Sequence, residues 1–310
     1  MGLDPELGVF AGFRLPDLAD IGAARRWEQA LKASAPAPDP ALSEDLAVAD
    51  FTIPGPPGAP PLAVRLYRPD SPRALPVLVY FHGGSFVMGD LDTDHRACLR
   101  YAGEAGCAVL SVDYRLAPEN PFPAALQDGH AALHWVAHGG AGRGLDPGRL
   151  ALGGSSAGAT LAAGLALLAR DRGEVAVAFQ LLLHPALDNR LTSPSINAPG
   201  QDFGVTRELV RQMWVHYLGG DGRAREPWAA PARAEDLAGL PPAYLETAEL
   251  DPLRDEVLDY AGRLLAAGVS VDLRLFAGAP HVFEMVAAAR ISEQAFASRT
   301  LALRRGLGLP

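Results

Sequence analysis

The chain has 310 residues, 49 % of them hydrophobic and 20 % charged, enough apolar sequence for one large core or two smaller ones and too much for a disordered chain. Lys and Arg number 27 against 36 Asp and Glu, a formal net charge of −9, so the surface repels phosphate backbones and nucleic acid is not an expected partner. The two cysteines, Cys98 and Cys107, build neither a disulfide framework nor a zinc spacing and are expected to be core thiols.

The first residues, MGLDPELGVFAGFRLPDLAD, place acids early and lack a basic-then-apolar leader. Apolar stretches are interrupted by Gly, Arg or Pro well before the ~20 residues of a membrane span. The expectation is a soluble, cytoplasmic protein without a membrane partner. Residues 16–33 alternate at helical spacing and predict a helix, which APAPDPALSE ends. LAVADFTI and LAVRLY follow as strands joined by the turn PGPPGAPP, which suggests an antiparallel edge. Six further apolar runs read as strands: 76–81, 107–114, 149–154, 178–183, 243–247 and 271–276. Helical patterns occupy 93–106, 122–138, 157–172, 253–267 and 283–305 between and after them. Short apolar runs alternating with helices predict an α/β fold whose parallel sheet is covered on both faces. Two segments break the alternation: residues 1–45, and an insertion at about 187–235 that carries a helix near 206–218. Both are expected to cap the carboxyl edge of the sheet, where open α/β sheets place ligands. The remainder, 46–310, reads as one catalytic domain.

The most informative stretch is LALGGSSAGATLAAGL, residues 150–165. A strand, a turn of small residues and a helix form the setting of a nucleophile elbow, which needs glycine two residues before and two after the nucleophile. Around Ser155 the flanks are Gly153 and Ala157; around Ser156 they are Gly154 and Gly158. Ser156 is therefore the candidate nucleophile, and its place at a helix start favours developing negative charge. A serine needs a base, and the base an orienting acid. His184 lies too early in the chain and His216 sits inside a helix, whereas His281 occupies a Gly/Pro loop after the last strand. The loop after the preceding strand offers Glu249, Asp251, Asp255 and Glu256; Asp251, fixed by Pro252, is the expected acid and Asp255 the second choice. HGGS, residues 82–85, follows the third strand and suits oxyanion donors, with His82 as a loop-fixing residue.

HGGSF (82–86), YRLAPENPFPAALQD (114–128), DPGRLALGGSSAG (146–158), LPPAYLETAELDPLRDE (240–256) and HVF (281–283) together resemble the hormone-sensitive-lipase-like branch of the α/β-hydrolases, mostly bacterial carboxylesterases, from about residue 60 to 285. The resemblance implies an eight-stranded, mostly parallel sheet with helices on both faces and a helical cap. It implies an enzyme without metal or cofactor, with the triad Ser156, Asp251 and His281. The implied oxyanion donors are the main-chain N–H groups of Gly83, Gly84, Ser85 and Ala157. Two positions depart from the family pattern: Ser85 stands where a third glycine is usual, and Ser155 where an acid usually precedes the nucleophile.

The expected activity is a serine carboxylesterase acting on a small ester of short to medium acyl chain. Phe10, Phe13, Trp27, Phe86, Val87, Ser155, Leu187, Phe203, Trp214 and Phe283 are candidates for lining its pocket. An amidase or acyltransferase with the same triad, or a non-catalytic binder on the same fold, are the competing readings; the presence of His281 argues against the binder. Ser156 excludes a dehalogenase or epoxide hydrolase, which needs Asp at that position. Dimers are common among the proteins resembled, and VDLRLF at 271–276 would pair across a two-fold axis.

Overall fold

The computed structural model describes residues 2–198, 203–220 and 225–310. Eight strands form one sheet: β1 Leu46–Ile53, β2 Leu62–Pro69, β3 Leu75–Phe81, β4 Ala108–Val112, β5 Leu145–Ser155, β6 Phe179–Leu183, β7 Ala243–Ala248 and β8 Val271–Phe276. Their order is β1-β2-β4-β3-β5-β6-β7-β8. The first two strands are antiparallel, β2 is antiparallel to β4, and every other pairing is parallel. The continuous apolar runs of β3, β4 and β6 are buried residue after residue, as central parallel strands with covered faces must be. The edge strands β1 and β8 are instead mostly exposed or half-buried along their length.

The helices are α1 Ile21–Ser34, α2 His95–Ala105, α3 Ala124–Gly139, α4 Ala157–Arg172, α5 Arg207–Leu218, α6 Arg254–Ala266 and α7 Arg290–Gly306. Helix α4 is apolar all round and buried from Ala157 through Ala169, so it lies sunk against the sheet. Among the described residues, no helix is long and apolar enough to cross a membrane.

Strand β5 starts at Leu145, four residues before the expected 149, and two helix starts differ from the sequence expectation by more than two residues. Helix α1 starts at Ile21 and not at residue 16, because the Asp20 carboxylate accepts from Ala23 N at 2.8 Å and fixes the cap there. The last helix starts at Arg290 and not at residue 283. Val282 adopts a left-handed φ of 52°, and Phe283–Met285 form a separate short 3₁₀ turn.

The N-terminal segment and α5 meet over the sheet. Leu18 N donates to Gln212 Oε1 at 2.9 Å, and His216 Nε2 donates to Leu18 O at 2.8 Å. Arg14 forms an isolated bridge with Gly204. Of the expected insertion, residues 203–218 join this covering layer, whereas residues 229–234 return to the body, where Arg263 donates to Ala232 O at 2.8 Å. Residues 199–202 and 221–224 of that insertion lie outside the described residues.

Candidate active site

The turn between β5 and α4 is built by glycines that have no room for a side chain. A Cβ on Gly158 would lie 2.0 Å from Phe81 O, and one on Gly154 would lie 2.5 Å from both Phe81 O and the Gly158 carbonyl carbon. The two glycines therefore pack against the end of β3 and against each other. Between them Ser156 takes φ 52° and ψ −118°, a backbone that costs a non-glycine residue about 1–3 kcal/mol. Its own N–H is satisfied by Leu183 O at 2.8 Å.

The loop after β8 brings His281, 4 % exposed, to this hydroxyl: Nε2 lies 3.0 Å from Ser156 Oγ. On the other side Nδ1 lies 2.7 Å from Asp251 Oδ2. A carboxylate accepts only, so Nδ1 carries the proton and Nε2 is left to accept from the serine. Asp251 is fully buried in the turn after β7, and its Oδ1 accepts from Leu253 N at 2.9 Å. The two loops are stitched together: Leu250 N donates to Ala279 O and Glu249 N to Phe276 O, each at 2.9 Å. The other acids of this segment are engaged elsewhere. Asp255 Oδ2 accepts from Ser195 N at 2.7 Å, Glu256 Oε1 from Leu187 N at 2.6 Å, and Glu249 Oε2 from Gly278 N at 2.7 Å. Asp255, the second choice, thus points away from His281.

The loop after β3 departs from expectation at one donor. Gly83 N donates to Asp94 Oδ2 at 3.1 Å, so this N–H is spent on holding the loop and is not free for an oxyanion. The N–H groups of Gly84 and Ser85 have no partner among the described residues. Ala157 N opens the first turn of α4, where donors have no intrahelical acceptor. A Cβ on Gly84 would lie 2.1 Å from Met88 O, so only glycine fits there. Ser85, at φ 55°, occupies the left-handed region in which the usual glycine would be unstrained. His82 stacks on Tyr114 with ring centroids 4.3 Å apart and donates from Nδ1 to Gly83 O at 2.7 Å. Burial depresses its pKa to about 4, so it is neutral and holds the loop.

A cavity of about 220 Å³ opens onto Ser156 and His281. Its walls come from the N-terminal segment (Phe13, Leu15, Trp27, Leu31), from Val205 and α5 (Leu209, Val210, Met213), and from Met88, Leu253 and Met285. Of the residues expected to line it, Phe13, Trp27 and Ser155 do. The others require correction: Phe10, Phe86, Val87, Leu187, Phe203, Trp214 and Phe283 are absent from its walls. Phe86 stacks on Tyr217 at 3.7 Å and packs near Trp214 at 6.3 Å, while Phe10 and Phe283 belong to one buried cluster against which Phe203 packs. Val87 and Leu187 are core residues, because the chain turns their side chains away from the cavity and into the main hydrophobic cluster.

Sequence reasoning missed the charged groups beneath the site. His184, immediately after β6, is fully buried, with Nε2 3.2 Å from Glu246 Oε1 and 3.3 Å from Glu284 Oε2. Arg299 of α7 donates to both acids, to Glu246 Oε2 at 2.9 Å and to Glu284 Oε1 at 2.9 Å. Burial opposes charge on His184, but the two carboxylates prevail and hold its pKa up at about 10. Two acids, one guanidinium and one imidazolium balance. Rings of His184 and His281 meet edge to face at 5.5 Å, so this quartet adjoins His281. Asp94 was also missed; burial raises its carboxyl to about 6. It stands in the acid-rich stretch GDLDTD, where nothing in the sequence sets one carboxylate apart.

The family model described as alpha/beta hydrolase fold matches residues 78–285. Esterase LipI of Mycobacterium tuberculosis is 46 % identical over 237 residues, 74 % of this chain and 72 % of that protein. Carboxylesterase NlhH of the same species is 42 % identical over 239 residues, 76 % of this chain and 74 % of that protein. Among solved structures, a bacterial heroin esterase superimposes with a TM-score of 0.89 at 41 % identity, covering 98 % of both chains.

Proposed function

The chain belongs to the α/β-hydrolase-fold family, in its hormone-sensitive-lipase-like branch, and from that premise we propose that it is a serine carboxylesterase of short- to medium-chain acyl esters, working through Ser156, His281 and Asp251. The observation that carries this reading is the pair of contacts at His281: 3.0 Å to Ser156 Oγ and 2.7 Å to Asp251 Oδ2.

The chemistry follows from those atoms. His281 Nε2 takes the Ser156 proton as Oγ attacks the ester carbonyl, and Asp251 stabilises the imidazolium that forms. The N–H groups of Gly84, Ser85 and Ala157 receive the tetrahedral oxyanion, with Gly83 withdrawn from the set by its bond to Asp94. His281 then protonates the departing alcohol, leaving an acyl-Ser156. Water, deprotonated by His281, releases the acid by the same route in reverse. The N-terminal segment and the α5 region act as a cap, as the walls they contribute to the cavity support. That cavity, about 220 Å³, is smaller than the roughly 300–1,000 Å³ of sites for drug-sized ligands, which favours small acyl groups.

The test is the hydrolysis of p-nitrophenyl esters from acetate to palmitate by wild type and Ser156→Ala. Wild type should turn over the short esters and decline with chain length, and Ser156→Ala should lose roughly 10⁴–10⁶ in kcat. Two equally inert, folded proteins would overturn the reading. The same reading includes a homodimer across β8, whose outer edge has no strand partner among the described residues and whose Leu273 and Leu275 are 38 % and 49 % exposed. Sedimentation of wild type and Leu275→Arg should give a dimer and a monomer; a monomeric wild type removes that part.

A further inference from the structure

Helix α3, which precedes β5 in the chain, carries His130, His134 and His138, spaced four residues apart and therefore on one helix face. All three line a groove of about 1020 Å³ that shares no wall residue with the Ser156 cavity. His134 and His138 are exposed at its surface. Their rings are stacked with centroids 4.0 Å apart, and the His130 ring lies 6.5 Å from that of His134. Histidine pairs at this spacing on a helix are a recurrent zinc-binding arrangement.

The tautomer of His138 is set by its neighbour. Its Nδ1 lies 2.9 Å from the carbonyl oxygen of His134, a contact that only an N–H can make, so Nε2 presents its lone pair outward. Metal-bound histidines use this same device: the second ring nitrogen donates to a carbonyl, which fixes the ring and raises the basicity of the first. At the other end of the row Glu174 Oε2 stands 3.0 Å from His130 Nε2 and brings a carboxylate within reach. Arg172, on the groove wall, lies 3.9 Å from Glu174, so its charge is partly offset. A tetrahedral ion with bonds of ~2.1 Å to nitrogen joins two nitrogens roughly 3.4 Å apart. The two rings stand 4.0 Å apart, centroid to centroid, and rotation of the side chains is what would converge their nitrogens on one ion.

We propose that this face of α3 is a binding site for a divalent late transition metal, Zn²⁺, Ni²⁺ or Cu²⁺, with His134 and His138 as the primary ligands and His130 and Glu174 as the next donors. Imidazole donors select these ions over Mg²⁺ and Ca²⁺, which prefer oxygen. Acid competes with the metal for the same lone pairs, so binding weakens as the buffer is acidified.

The experiment titrates the untagged, full-length protein with zinc chloride and with nickel chloride in a calorimeter, with magnesium chloride as control, and follows the melting temperature in parallel. Wild type should show saturable binding of zinc and nickel, none of magnesium, and a higher melting temperature with metal, because an ion that binds only the folded helix stabilises it. The double variant His134→Ala/His138→Ala should bind at least about tenfold more weakly and lose the thermal shift. Its ester hydrolysis without metal should match wild type, since neither residue touches the cavity. Absence of saturable binding to wild type overturns the proposal. So does a double variant that titrates like wild type; the ion would then lie elsewhere, and zinc inhibition of hydrolysis in both proteins would point to the buried group His184, Asp251 and His281.

Discussion

At the scale of single residues, geometry assigns different costs to the serines around the site. Ser156 needs its strained backbone to lift Oγ toward His281, whereas Ser85 bears a left-handed φ of 55° with only its N–H engaged by the proposed chemistry. Ser85→Gly should therefore raise stability by about 1 kcal/mol, read from urea unfolding, and retain hydrolysis within a few-fold, because the donor remains. Asp251→Asn should keep the fold and the melting curve but lower kcat by roughly 10⁴, since an amide leaves His281 in the wrong tautomer. A variant within tenfold of wild type would remove Asp251 from the mechanism. These residues were legible because chemistry restricts them: an elbow demands glycines at two fixed offsets, and a base demands a loop at a strand end. Asp94 was illegible for the opposite reason. Holding Gly83 N requires only some carboxylate nearby, and four acids stand between Asp90 and Asp94 or on α1 close by.

At the scale of elements, the buried quartet ties β6, β7, the turn at Glu284 and α7 together beside His281. Arg299→Met should destabilise the fold by about 3–5 kcal/mol, because it leaves two buried carboxylates facing one imidazolium. The pH dependence has two limbs. Burial opposes the charge of Glu246, but contact with Arg299 holds its pKa down, from 4.5 to about 2, so its contribution is present above 4.5 and is lost as pH falls toward 2. The pKa of His184 is raised from 6.5 to about 10, so its contribution is complete below 6.5 and is lost as pH rises through 10. The quartet's stabilisation should be fullest between these limits, and thermal unfolding of His184→Gln should have lost the alkaline limb. Strands were the most legible elements, because buried parallel strands such as VLVYF leave no polar position to confuse the period. Helix starts were less so, since a single cap at Asp20 or the turn at Val282 decides them, and neither disturbs the apolar pattern.

At the scale of the whole molecule, pH acts also through Asp94. Burial raises its pKa from 3.8 to about 6, so the folded chain holds a proton there that the unfolded chain has released, and stability falls as pH rises through that window. Asp94→Asn should flatten this fall in a pH series of melting temperatures. The covering layer draws on residues nearly two hundred positions apart, Trp27 of α1 and Met213 of α5, which face one cavity. Trp27→Ala should enlarge that cavity and raise the octanoate-to-acetate ratio of kcat/KM roughly tenfold, a shift of the size that pocket contacts commonly command. The pocket was the least legible part of the molecule. Its walls are ordinary apolar residues, and only the packing of two distant segments decides that Leu15 and Val210 face the cavity while Phe86 and Trp214 pack near each other.

The division between that covering layer and the sheet has a consequence for how such a protein can change over generations. The proposed reacting groups hang from turns locked into the buried framework, where a single added carbon at Gly158 meets Phe81 O. Much of the chamber wall comes instead from the N-terminal segment and α5, which lie outside β3, β5 and β7. On the proposed function, mutation explores new substrates at half-buried Phe13 and Trp27 with less penalty to folding than at the core residues Leu209 and Met213, while the turns that hold Ser156, Asp251 and His281 stay unaltered. Diversity of scope and constancy of mechanism are, in this architecture, properties of different stretches of chain.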